Sequence, residues 1–405
     1  MKLLDKDLSP FTLRKEQEEC LNYIFKVLKE QQNKKFFILD LPTGVGKSIL
    51  AFSFIQRYLK EQSRSAAFDV LTESKLLQKQ YQDDFKSISN LSGRNAYYCG
   101  NFKCSCEQGK DFASISGDKC ESCPYVEARE EFMGAKISLT NFHMYTVLRL
   151  HNIMEQRFSN ILIVDEAHSL EDVVSDFISI TFDNSKLLKM GFSETETKNI
   201  FNNIRSIDDF VEFTNEYFKE MLEMRLSEMT SELETRAKHS KAVKRSISLD
   251  KIITKEPRDN PDIKLSKSIE MVKIMLTKID NFFKEYKKKP SNWNFQIETD
   301  GKKKKIVLEP IWAYPYFDKY IWDHYDKVIM MSGTFLNKEM VCYLNGIPVD
   351  EAVYYNIESP FLPKNRPIYY MPLGKMTYRE KENTFNTKYI PVLKKILKKY
   401  HDKKG

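Results

Sequence analysis

The chain has 405 residues, 41% of them hydrophobic and 13% aromatic, with a net charge of +7 from 64 basic and 57 acidic side chains. That is enough apolar material for the cores of roughly two to four compact units, which excludes a disordered tail. No apolar run is long enough to cross a bilayer, and the opening Met1-Lys2-Leu3-Leu4-Asp5-Lys6-Asp7 lacks the apolar stretch of a secretory signal, so a soluble, cytoplasmic protein without a membrane partner is expected. The mild positive charge permits a polyanionic partner without demanding one. The lysine runs at Lys287–Lys289, Lys302–Lys305 and along Lys394–Lys404 read first as solvated faces.

In chain order, Leu13, Gln17, Cys20, Leu21, Ile24 and Leu28 recur at steps of three and four and predict a helix over 11–30. The apolar run Phe36-Phe37-Ile38-Leu39 predicts a buried strand that feeds Leu41-Pro42-Thr43-Gly44-Val45-Gly46-Lys47-Ser48, and a helix follows over 48–62. Strand, glycine-rich loop, helix is the setting that a phosphate-binding loop requires. Further runs over 67–72, 136–141, 160–166 and 327–333 are apolar almost throughout, which suits parallel strands covered on both faces. Helical stretches between them argue for a doubly wound α/β domain.

Two stretches break this pattern. Residues 95–134 hold five of the seven cysteines and little periodicity. Residues 185–300 are charged and helical, with Ile269, Val272, Leu276, Ile279 and Phe283 on one face of an amphipathic helix. Asp300-Gly301 between two apolar runs signals a hairpin. No glycine- or serine-rich linker marks either boundary, so both stretches read as insertions into one domain.

The loop supplies the first chemistry. Pro42, Thr43, Gly44, Val45 and Gly46 let backbone N–H groups face phosphate oxygens, Lys47 neutralises the β and γ phosphates of ATP, and Ser48 offers a hydroxyl to Mg²⁺. Leu41 stands where the usual pattern has Gly or Ala. Asp165-Glu166-Ala167-His168 closes an apolar strand: Asp165 is placed to hold Mg²⁺, Glu166 to orient and deprotonate the attacking water, and His168 to relay nucleotide state to a bound strand. The five clustered thiols, Cys99, Cys104, Cys106, Cys120 and Cys123, form a metal site in a reducing compartment; spacing alone fits a tetrahedral zinc or an iron–sulfur cluster, and favours zinc. Cys20 and Cys342 read as ordinary buried thiols.

An ordered series of motifs resembles the XPD/DinG family of superfamily 2 iron–sulfur DNA helicases. Arg14-Lys15-Glu16-Gln17 resembles the family's adenine-reading element, so Arg14 and Gln17 join the expected nucleotide site. Leu71-Thr72-Glu73-Ser74 with Leu77-Gln78 is similar to its DNA-backbone motif, Gly93-Arg94-Asn95-Ala96-Tyr97-Tyr98-Cys99 to the lead-in to the first cluster ligand, and Cys123-Pro124-Tyr125 to the last. Thr140-Asn141-Phe142-His143, Ser332-Gly333-Thr334 and Ser359-Pro360-Phe361 follow in order.

The resemblance implies a RecA-like parallel sheet over 1–94, 135–184 and 306–335, an iron–sulfur insertion at 95–134, a mostly helical arch at 185–305 and the beginning of a second motor domain at 336–405. It favours a [4Fe–4S] cluster over zinc, on Cys99, Cys120 and Cys123 with Cys104 and Cys106 contesting the fourth place. It also implies ATP-driven 5′ to 3′ translocation on single-stranded DNA, unwinding of forked duplex DNA, and a nucleoid or nuclear site of action. Tyr97 and Tyr98 either stack on bases or pack the insertion. The Gln-x-x-Gly-Arg-x-x-Arg stretch of a second motor domain is absent; the one Gly-Arg is Gly93-Arg94. The chain alone is therefore expected to bind ATP better than it hydrolyses it; either it is a fragment or a second polypeptide completes the motor. Two other readings stand beside this one: a non-motor accessory subunit that binds ATP and DNA, and a P-loop regulator with structural zinc.

Overall fold

The computed structural model describes residues 2–116, 122–244, 261–301, 303–359 and 370–401. Cys120, Lys302, Pro360 and Phe361 lie outside the described residues. The strands are β1 (Phe36–Asp40), β2 (Phe68–Thr72), β3 (Ser89–Asn90), β4 (Tyr98–Cys99), β5 (Cys104–Ser105), β6 (Ile137–Asn141), β7 (Ile161–Asp165), β8 (Ile180–Asp183), β9 (Trp293–Asp300), β10 (Lys303–Pro310), β11 (Lys327–Ser332) and β12 (Ala352–Asn356). Seven of them form one sheet in the order β12-β1-β11-β7-β2-β6-β3. Every pairing in it is parallel, with Phe36 opposite Val328 and Lys327 opposite Ile161. Parallel strands need crossovers, and helices supply them on both faces. This is the RecA-like α/β sheet that the apolar runs and the resemblance call for.

Alternation along the strands divides the core in two. Phe36, Ile38, Leu162, Val164, Val328 and Met330 face one side. Phe37, Leu39, Ile161, Ile163, Ile329 and Met331 face the other. The second side is closed by the helices Lys15–Glu30 and Lys47–Glu61. The first side runs on into both insertions, so they share the motor's core.

The stretch from β8 to β10 carries a three-stranded antiparallel sheet, β8-β10-β9, and two helices of 26 residues each, Lys219–Lys244 and Pro261–Tyr286. The hairpin expected at Asp300-Gly301 is the β9–β10 turn, where Gly301 takes φ 58°, a left-handed conformation that suits glycine. Aromatic rings fill its core: Phe282 meets Trp293 edge-on at 4.7 Å and Phe210 at 5.4 Å. The helix predicted on one face there is Pro261–Tyr286, which buries Ile269, Val272 and Ile279.

The chain divides into two compact units, Met1–Glu358 and Ser359–Gly405. β12 adds to the edge of the seven-stranded sheet beside β1, within the first unit. The second unit carries the helix Ile390–Lys399, on which Leu393, Ile396 and Leu397 are exposed. Among the described residues, no helix is long and apolar enough to cross a membrane.

Candidate nucleotide site and thiol insertion

β1 delivers the chain into the glycine-rich loop, and Gly44 and Gly46 take φ 84° and 85°. Those left-handed turns let the backbone fold back before the helix Lys47–Glu61 begins. Gly46 is also closed in sterically: a Cβ there would lie 2.8 Å from the Gln17 side chain. Behind the loop, the Leu41 N–H donates to the Ser332 carbonyl of β11 at 2.7 Å. Gly333 sits so close to Leu41 that a Cβ would approach its carbonyl oxygen to 2.9 Å. The loop is therefore seated on the end of the neighbouring strand.

Lys47, at the loop's end, pairs with Glu166 and lies 3.9 Å from Asp165. Asp165 ends β7 and is almost fully buried. One of its oxygens accepts from the Tyr81 hydroxyl at 2.9 Å, the other from the Glu166 N–H at 3.0 Å. Burial holds the Asp165 carboxyl above its usual range, while Lys47 and Tyr81 oppose that rise. Glu166 takes φ 54°, an unusual conformation for a non-glycine residue, and it turns the chain sharply out of the strand. His168 Nδ1 is 2.9 Å from Ser332 Oγ and 3.4 Å from Glu166 Oε2. Ser332 in turn bonds Thr334. One chain of contacts thus joins Lys47, Glu166, His168 and the Ser332-Gly333-Thr334 turn.

Arg14 and Gln17 come to the same loop. Gln17 is buried, and its amide nitrogen donates to the Val45 carbonyl at 2.7 Å, while its oxygen accepts the Arg14 N–H. Arg14 Nη1 donates to the Gly44 carbonyl at 2.7 Å. Both side chains grip the loop's carbonyls and so set its shape.

The thiol insertion is small and local. The β4–β5 hairpin sets Cys99 opposite Cys104. Cys106 opens the helix Cys106–Ser116, and Cys123 caps the helix Pro124–Gly134. The Cys106 thiol shares a hydrogen bond with the Cys123 thiol and lies beside Cys99; burial pushes it up, the Tyr125 N–H opposes this, and the neighbouring thiols add to the rise. The Cys104 thiol donates to the Ser105 carbonyl at 3.4 Å. Cys106 thus lies beside Cys99 and Cys123, and Cys104 opposite Cys99. Gly109 leaves room for this packing, since a Cβ there would lie 2.8 Å from Cys99 Sγ. Among the described residues, no group of three or more His, Cys, Asp or Glu side chains is spaced as a metal site. Cys99 and Cys106 are buried and Cys123 is half-buried, and thiolate is a donor that zinc and iron–sulfur clusters both accept.

Around the thiols, Arg94 lies 4.0 Å over the Tyr125 ring and Tyr97 meets Tyr125 edge-on at 5.7 Å. Tyr97 packs the insertion, whereas Tyr98 is exposed. A cavity of about 760 Å³ opens between the helix Lys75–Asp84, the insertion and the arch helix, with Lys75, Lys79, Arg94, Lys110 and Arg129 on its walls.

Sequence reasoning missed Tyr81 and Arg157. Ser74, Gln78 and Tyr81 follow one another at four and three residues, a helical face that carried the signal for Tyr81. Arg157 is buried against Asp69 at 2.6 Å and also donates to the carbonyls of Phe132, Met133 and Ala135. It sits in an irregular segment where no periodicity reveals burial.

Residues 10–197 match the family model described as type III restriction enzyme, res subunit. No curated protein matches the chain. Among solved structures, an XPD helicase is 14% identical with a TM-score of 0.48, over 85% of this chain and 62% of that one. A truncated XPD is 13% identical with a TM-score of 0.47, over 85% of this chain and 100% of its own. An Xpd protein of S. tokodaii is 12% identical with a TM-score of 0.44, over 95% and 69%. The chain thus spans less than two thirds of the length of the first of these. The chain is thus similar to the type III restriction enzyme res subunit over residues 10–197, and to XPD helicases among solved structures.

Proposed function

We propose that this chain is the ATP-binding portion of a DNA helicase that moves 5′ to 3′ along single-stranded DNA and opens forked duplexes. The observation that carries the reading is the contact chain from Lys47 through Glu166 and His168 to Ser332. It ties the phosphate loop to two further motif positions, so an event at the nucleotide can be felt there.

The loop N–H groups wrap the phosphates, and Lys47 exchanges its Glu166 partner for the γ-phosphate. Glu166, released, accepts the proton of the water that attacks the γ-phosphorus as the bond to the β-phosphate oxygen breaks. Ser48 and Asp165 would hold Mg²⁺, which when bound neutralises phosphate charge. His168, no longer balanced by Glu166, shifts against Ser332. Full hydrolysis in this reading requires an arginine facing the γ-phosphate, supplied either by a further part of the same polypeptide or by a second one.

Cys99, Cys106, Cys120 and Cys123 would hold the [4Fe–4S] cluster, which when bound cross-links the insertion. The basic cavity beside it is the proposed strand path, neutralising phosphates while bases stack. Action on DNA implies work in the nucleoid or nucleus.

The test is nucleotide binding and hydrolysis with and without oligo-dT, in wild type and Lys47→Ala. Wild type is expected to bind Mg-ATP and to respond to the oligonucleotide. Lys47→Ala should lose about 10²–10³-fold in hydrolysis. DNA binding with no effect on nucleotide turnover would instead identify an accessory subunit.

A further inference from the structure

Tyr81 is wholly buried, yet it is the residue through which the helix Lys75–Asp84 reaches the acidic pair. Its hydroxyl donates to Asp165 Oδ2 at 2.9 Å. Its ring packs on Phe52 at 6.0 Å and on Phe85 at 6.2 Å, and those two rings stack on each other at 3.7 Å. Phe52 belongs to the helix that opens with Lys47. The same tyrosine therefore touches the phosphate-loop helix with its ring and the Asp165 carboxylate with its hydroxyl.

The other end of the tyrosine's helix points to the basic cavity. Ser74 caps it by accepting the Leu77 N–H, and Lys75 and Lys79 stand on the cavity wall. One turn before Tyr81, Gln78 is clamped to Asn90, the Leu91 carbonyl and Asn141. Gln78, Asn90 and Asn141 themselves line the cavity, so this clamp ties the cavity wall to the helix one turn before Tyr81.

We propose that Tyr81 is a positioning residue: it orients Asp165 for Mg²⁺ and couples that orientation to occupancy of the cavity wall. The physical reason is that Asp165 has two oxygens to aim. The Glu166 N–H fixes one and Tyr81 fixes the other, so the plane of the carboxylate follows the tyrosine. A hydrogen-bond donor behind a metal-binding carboxylate typically changes metal affinity about 10–100-fold.

The inference rests on the proposed nucleotide reading and is tested with Tyr81→Phe, which keeps the ring and removes only the hydroxyl. A fluorescent ATP analogue is titrated with Mg²⁺ at fixed concentration, in wild type and variant, with and without oligo-dT. The expected result is about tenfold more Mg²⁺ for half-maximal binding in the variant, unchanged affinity for the metal-free analogue, and a smaller shift on adding oligo-dT. Thermal unfolding measured alongside separates this from damage, since a structural role would weaken metal-free binding as well. Equal Mg²⁺ requirements in the two proteins, or equal losses with and without Mg²⁺, would overturn the inference and leave the nucleotide reading standing. A wild type that binds no Mg-nucleotide would overturn both.

Discussion

The motor sheet and the two segments inserted into it are held by different forces. In the sheet, strands such as Ile161–Asp165 are buried on both faces, and each backbone group has a partner in the next strand. The nucleotide loop inherits its shape from that frame: Leu41 is tied to Ser332, and Gln17 and Arg14 grip the loop carbonyls. The thiol insertion has strands of only two residues and relies on side chains that converge. The arch has its own aromatic core, and its long helices leave half their surface in water. A site built on backbone is shaped before its ligand arrives; the thiol insertion has far less backbone pairing to hold it.

The largest expected effect comes at the joint between the two constructions. Arg157 binds Asp69 of β2 and, through three carbonyls, the end of the helix Pro124–Gly134 that leads out of the thiol insertion. Tyr325 also donates to Asp69, at 2.8 Å. Arg157→Met removes the cation and leaves a buried carboxylate, with a cost of about 3–5 kcal/mol. Urea unfolding should show that loss, and limited proteolysis should cut near residue 134 before it cuts the sheet. Simultaneous loss of sheet and insertion would mean that the two regions are not separable.

The thiols sharpen the comparison next. Cys106→Ser should abolish bound iron and acid-labile sulfide in anaerobically purified protein and destabilise the insertion by on the order of 2 kcal/mol. Cys104→Ser should retain both. Nucleotide affinity should survive in each variant, because the loop is seated on strands rather than on thiols. Tetrahedral zinc in the wild type would replace the cluster reading, and iron loss in Cys104→Ser alone would reverse the assignment.

How much of this was legible follows the same division. Phe36–Leu39, Ile161–Val164 and the loop between them announce themselves because a buried parallel strand must be apolar and a phosphate loop must carry glycine. The pairing of β12 with β1 was not legible, since Ala352–Asn356 is short and half polar, and only tertiary contact makes it a strand. Arg14 and Gln17 were found by resemblance, but their grip on the loop carbonyls depends on a helix orientation that no local pattern encodes. Cys104 and Cys106 could not be ranked from spacing, because a turn of hairpin decides which thiol faces inward. Tyr81 was missed because its partner is 84 positions away in sequence.

The smallest expected effect tests the seam between arch and motor. Lys278 of the arch helix donates to the carbonyls of Ser179 at 2.7 Å and Asp176 at 3.1 Å, where the helix Leu170–Ile178 ends. Burial brings its ammonium down to about 8, and nearby Lys186, itself lowered by burial, adds to this. In the unfolded chain the same group titrates near 10.5. Below pH 8 both states are charged, and the cost of burying that charge is present in full. Between pH 8 and 10.5 the native lysine sheds its proton while the unfolded one keeps it, so the unfolded state binds more protons and stability rises with pH. The expected gain is about 2 kcal/mol between pH 7 and 9.5, read as a rising urea midpoint. Lys278→Met should flatten most of that slope and leave the part that Lys186 contributes. A midpoint that falls over this interval would mean that the lysine is solvated in solution, and that the arch meets the motor through a wetter seam than its hydrogen bonds describe.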